Sequence, residues 1–184
     1  VLTPTGIKAF DALLPGGVDI GGMAFATSAF WLALVMLYRV CEVYYGDGDL
    51  GRWATVMLAI LPHAFFFGAP MSDAIYLAII LGIFYAGTKR QWLLAAIFGS
   101  LATLARHQGI LMAGVLALMI FQESLNRFGT WRPRIYYFIR HSIWFIFMAA
   151  AFGGYMLFRQ GLGLPSLSDT YISYSYSYIA DPLT

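Results

Sequence analysis

Charge is what this sequence has least of. Of its 184 residues only 11% are Asp, Glu, Lys or Arg, against about 25% in an ordinary soluble domain. A soluble globular fold is therefore excluded as the first expectation. The formal net charge of +2 is too small to mark a nucleic-acid partner. Cysteine is nearly absent. Cys41 stands alone, so no internal disulfide is possible, and it reads as a small buried hydrophobe. The three histidines, His63, His107 and His141, lie far apart, and no cluster has metal-ligand spacing, so no metal centre is expected. Nothing at the start has the form of a signal peptide, and the first hydrophobic run begins only near Ile20. The sequence reads as a piece of a longer protein.

What is present is apolar surface. Hydrophobic residues make up 60% of the chain and the mean hydropathy is +0.73. An integral membrane protein surrounded by lipid is expected, all-α and polytopic, with about six transmembrane or half-membrane helices. Residues 1–184 read as one transmembrane domain. Residues 1–19 form an outer interfacial segment, in which Ile7, Phe10, Leu13 and Leu14 recur at helical spacing. Residues 20–158 form the helical membrane core, and 159–184 an outer polar tail with a Ser/Tyr alternation.

Within the core the expected spans are 20–45, 52–68, 73–86, 91–105, 108–121 and 141–158. Pro62 is expected to kink the second span. The third opens after Pro70, with Ser72 or Asp73 near its cap. The fourth has about 15 residues, roughly 22 Å of helix against a hydrocarbon core of about 30 Å. Residues 122–140, with one proline and four arginines, are expected to form a basic loop. With six crossings, one side collects Arg39, Arg52, Lys89, Arg90, Arg127, Arg132, Arg134 and Arg140. The other keeps only Lys8, Arg106 and Arg159. The positive-inside rule makes the first side cytoplasmic, and both ends of the sequence extracytoplasmic.

On the outer side two residues stand out. Asp73 and Arg106 each lie at a break beside a mostly apolar helix. Asp73 as a plain helix cap and Arg106 as a residue snorkelling from a helix end are the simplest readings. The functional reading makes Arg106 a phosphate clamp, since a guanidinium offers a fork of donors to phosphate oxygens. His107 is a second donor to the same anion or merely exposed. His63, within Pro-His-Ala-Phe, reads first as a satisfied buried histidine. Gly68, Gly99 and Gly109 are expected to let helices approach closely around a lipid groove.

These residues also carry a resemblance. The run LPHAFFFGAPMSDAIYL, followed by WLLAAIFGSLATLARHQG, resembles bacterial relatives of the PIG-V mannosyltransferases, in the GT-C class of membrane glycosyltransferases. The shared features are an aromatic run after proline, a Ser-acid pair (Ser72-Asp73) opening a helix, and a Leu-x-Arg-x-x-Gly break (Leu104 to Gly109). The opening Leu2-Thr3-Pro4 and the closing Asp181-Pro182-Leu183 resemble family positions more weakly. The resemblance implies a GT-C-like fold and a transferase that takes a mannose-type sugar from a polyprenyl-phosphate donor on the extracytoplasmic side. The family's catalytic aspartate lies in a loop that would precede Val1. Within this sequence the resemblance leaves Asp73 as the catalytic candidate, orienting sugar hydroxyls or holding a divalent cation. Arg106, His107, Gln108, His63 and Asp181 are the substrate-binding candidates. Met71 and Asp73 stand where the family usually carries an aromatic residue and a glutamate. The alternative expectation is accordingly a non-catalytic membrane subunit on a degenerate transferase scaffold, packed against membrane-protein partners through its aromatic faces. A transporter is a third reading.

Overall fold

The computed structural model describes residues 2–13, 17–62, 64–69 and 71–163. Among them every regular element is helical: α1 (Leu2–Leu13), α2 (Gly17–Tyr45), α3 (Gly48–Ile60), α4 (Ala64–Gly68), α5 (Asp73–Thr88), α6 (Trp92–Ala105), a 3₁₀ turn (His107–Leu111), α7 (Met112–Arg127), α8 (Trp131–Ser142) and α9 (Phe145–Gly161). The expected Ser/Tyr alternation, and the candidates His63 and Asp181, lie outside the described residues.

Among the described residues three helical stretches are long and apolar enough to cross a bilayer: Asp19–Tyr45, His107–Arg127 and Trp131–Gly161. Many of their large apolar side chains, including Trp31, Leu118 and Ile146, are exposed. In a soluble protein such a surface would aggregate; against acyl chains it is the expected one. The chain is thus an integral membrane protein, all-helical in its regular elements among the described residues. The shorter apolar helices α5 and α6 form its centre. Ile79, Ile83 and Ala86 of α5 pack on Ala95 and Ala102 of α6, and Leu116 of α7 and Met148 of α9 close the cluster.

Small residues bring these helices together. Ala26, Ala29 and Ala33 of α2 are buried at i, i+3, i+7 spacing, which forms one stripe on one helix face. Ala33 meets Ala78 and Leu81 of α5. Lipid offers no hydrophobic drive between helices, so close backbone approach and dispersion contacts hold such a pair. Gly99 allows the same on α6, where an added Cβ would lie 2.6 Å from the sulfur of Met148. Gly68 does not: nothing lies within 4 Å of a Cβ there, so one of the three expected contact glycines serves no close packing.

Three expected elements are corrected. The second span is not one kinked helix. It breaks at Leu61, whose ψ of 138° is extended, because the ring of Pro62 excludes the helical region for the residue before it. The helix also starts earlier than expected, since Asp47 caps it by accepting from the N–H groups of Asp49 and Leu50. The basic loop 122–140 is mostly helix: α7 runs on to Arg127, and α8 follows after three residues. Pro133 does not stop α8 because it is the third residue of that helix, where the N–H has no intrahelical partner to lose. The sixth span begins inside α8, and α8 and α9 are joined through Ile143 and Trp144, where the N–H groups of Trp144, Ile146 and Phe147 each donate to the carbonyl three residues back.

Candidate functional site

The site begins with the α5–α6 hairpin. Helix α5 ends in a Schellman turn: Arg90 N–H donates to Gly87 O and Gln91 N–H to Ala86 O, with Arg90 itself at φ 59°. The chain reverses there and α6 runs back along α5. Helices of 16 and 14 residues then end level with each other. The first residue of α5 and the residue after α6 come to the same place.

Those residues are Asp73 and Arg106. Asp73 Oδ1 lies 2.7 Å from Arg106 Nη2, with side chains 33% and 36% exposed. Arg106 Nε donates to Ser72 Oγ at 3.0 Å. The guanidinium carbon sits 5.6 Å from the centre of the Tyr76 ring. Asp73 is the first residue of α5, not its cap. Ser72 holds the cap position without a side-chain capping bond, its hydroxyl being turned to Arg106. The carboxylate stands at a helix N-terminus and the guanidinium at a helix C-terminus, so both helix dipoles favour the pair.

The backbone aims Arg106. It leaves α6 in extended conformation, φ −143° and ψ 133°. The chain then folds back through the 3₁₀ turn, where Gly109 N–H donates to Arg106 O at 2.8 Å. Gly109 is buried against the last turn of α6, and a Cβ there would overlap the backbone of Ala102 and Thr103. Only glycine permits this fold-back, which explains the Arg-x-x-Gly spacing in chemical terms.

Ser72 and Tyr76 were missed as partners of Arg106 by the sequence reading, apart from Ser72 as a cap. The only signal was spacing: Tyr76 is three residues after Asp73 and four after Ser72, so it neighbours both on the surface of α5. Of the other candidates, His107 is half-buried in the 3₁₀ turn and Gln108 is exposed beside it. His63 and Asp181 lie outside the described residues.

Two of the three guanidinium nitrogens are engaged by Asp73 and Ser72. Nη1 has no partner among the described residues and remains a donor. The second carboxylate oxygen of Asp73 is likewise an open acceptor. Among the described residues no three His, Cys, Asp or Glu side chains gather around a common centre. Three cavities of about 470, 570 and 530 Å³ lie at the other end of the bundle, around Trp92, and neither Asp73 nor Arg106 lines them.

No family model, curated protein or solved structure matches this chain.

Proposed function

We propose that the chain is a membrane glycosyltransferase-like protein on a GT-C-type scaffold of about six transmembrane or half-membrane helices. It transfers a mannose-type sugar from a polyprenyl-phosphate donor to an acceptor hydroxyl on the extracytoplasmic side. The observation that carries the reading is the ion pair of Asp73 and Arg106, half-exposed at the mouth of a hairpin of two buried, apolar helices. Such a pair inside an apolar chain is costly to place and points to a task.

In the reaction the acceptor oxygen forms a bond to the anomeric carbon. The bond from that carbon to the lipid-phosphate oxygen breaks, and negative charge accumulates on the departing phosphate. A fixed donor lowers that barrier because it needs no reorganisation. Nη1 of Arg106 supplies the donor, while Asp73, Ser72 and Tyr76 hold the guanidinium in place. The free oxygen of Asp73 accepts from a sugar hydroxyl. The base that takes the acceptor's proton comes from outside these residues.

The test uses the full-length protein in liposomes with a polyprenyl-phosphate mannose donor. Arg106→Ala is expected to lower donor consumption by about a hundredfold, the usual loss for one stabilising donor. Unchanged consumption would overturn the clamp.

A second reading has its own observation. Asp73 neutralises the cation it would leave for a phosphate, and the three large cavities lie elsewhere. A non-catalytic subunit, held to membrane partners by its exposed aromatic faces, fits that arrangement. It predicts no donor consumption by the wild type, and co-purification with partners that Arg106→Ala leaves intact.

A further inference from the structure

The end of the bundle opposite Asp73 carries a second polar feature. A cavity of about 530 Å³ opens between α7, α8 and the α5–α6 turn, and Arg90, Arg127, Arg140 and His141 line it over Tyr136 and Tyr137. No carboxylate is among its lining residues. Between residues 74 and 168 the sequence holds one acid, Glu123. Its carboxylate is 2.8 Å from Arg90 Nε, and it lines the neighbouring cavity of about 470 Å³ instead. Elsewhere Arg39 and Arg52 are each neutralised by a carboxylate three residues away. Arg127 and Arg140 have no carboxylate partner among the described residues. Arg127 stacks over the Phe128 and Tyr137 rings, 5.8 Å from each centre, which holds the cation in place without cancelling it.

Hydrogen bonds tie the walls together. Trp92 Nε1 donates to the buried Tyr137 hydroxyl at 3.0 Å, tying α8 to the start of α6. His141 Nδ1 lies 2.8 Å from Tyr137 O. The carbonyl only accepts, so Nδ1 carries the proton and Nε2 is the ring's other polar atom. On another face of α8, Trp131, Ile135 and Ile139 are all more than half exposed, at i, i+4, i+8. A helix with such a stripe, and with Arg140 on its cavity side, suits the boundary between acyl chains and headgroups.

We propose that this cavity binds the phosphate of an anionic membrane lipid. Arg127 and Arg140 face the headgroup, with Arg90 beside them already held by Glu123, and the exposed stripe of α8 keeps the site at the depth where headgroups lie. A free phosphate ion would use the arginines but has no use for the stripe. The positive-inside rule reads this basic end as the cytoplasmic one, where anionic lipids concentrate beside basic clusters. The site is at the opposite end of α6 from Arg106 and does not depend on the transferase reading.

The full-length protein, purified in neutral detergent, would be examined by native mass spectrometry with phosphatidylglycerol, phosphatidylcholine or inorganic phosphate added. Phosphatidylglycerol adducts are expected to persist at energies that strip phosphatidylcholine. The double variant Arg127→Gln/Arg140→Gln is expected to lower their occupancy about tenfold or more, whereas Arg132→Gln, outside the cavity lining, leaves it unchanged. Equal retention of the two lipids, or equal loss in Arg132→Gln, would overturn the proposal. So would displacement of the lipid by millimolar inorganic phosphate, which would mark a free-anion site. Hydrogen exchange on the wild type gives a readout that no variant's folding affects. Phosphatidylglycerol should slow exchange from Arg127 to Ser142 relative to phosphatidylcholine, and no difference there would count equally against the site.

Discussion

Gly109 shows how much of a polar site rests on one missing carbon. The guanidinium of Arg106 reaches Asp73 because the chain turns back three residues later, with its backbone pressed on that of Ala102 and Thr103. A methyl group there meets main-chain atoms, which cannot swing aside as a side chain would. Gly109→Ala is therefore expected to cost about 3 kcal/mol, the upper end for overpacking, and to lower the thermal midpoint of the purified protein by several degrees. Gly114→Ala, inside α7 where nothing lies within 4 Å of the new carbon, is the matched control and should not lower it. That Asp73 and Arg106 lie on one side was legible in the sequence, because two antiparallel helices of nearly equal length bring their far ends together; that they form an ion pair was not. The roles of Ser72 and Tyr76 were not, because a serine before a helix reads first as its cap.

At the scale of elements, the α5–α6 turn and the two prolines are the informative cases. Arg90 occupies a left-handed position that glycine usually fills, and its side chain holds Glu123. Backbone and side chain pull in opposite directions. Arg90→Gly in the Glu123→Gln background removes only the strained conformation, and is expected to stabilise by about 0.5–1 kcal/mol, the left-handed penalty less glycine's added freedom when unfolded. In the native background the lost ion pair, worth about 0–1 kcal/mol with its arginine 60% exposed, should cancel that gain. Chemical denaturation of the four proteins as a cycle measures both terms. Pro62 and Pro133 look alike in sequence and act in opposite ways. Pro62 follows a formed helix and forces Leu61 out of it; Pro133 falls in a first turn that needs no donor. Which case applies depends on where the helix starts, and Thr130, the residue before α8, makes no side-chain capping bond that would announce that start.

For the molecule as a whole, composition was enough to set the class. A chain 60% hydrophobic and 11% charged must present apolar surface to lipid, and the exposed Trp, Leu and Ile side chains of the long helices do so. The clustering of basic residues near the loops was also visible, because Lys89, Arg90 and Arg127 punctuate apolar runs. The sequence did not reveal that arginines from three elements share one cavity, since Arg90 and Arg140 are brought together by long-range contacts such as Trp92–Tyr137 and Trp92–His141.

Helices α5 and α6, at 16 and 14 residues, extend only about 24 and 21 Å, while α2, with 29 residues, extends about 44 Å. A protein with a squat centre and tall flanks cannot match one flat slab of hydrocarbon everywhere. Lipids near the short hairpin must pinch inward, or the tall helix must lean. Reconstitution in bilayers of graded acyl length should therefore show a thickness optimum. The thermal midpoint is expected to be higher in 14-carbon than in 22-carbon lipids, and an identical midpoint in both would show that the hairpin never feels the surrounding fluid.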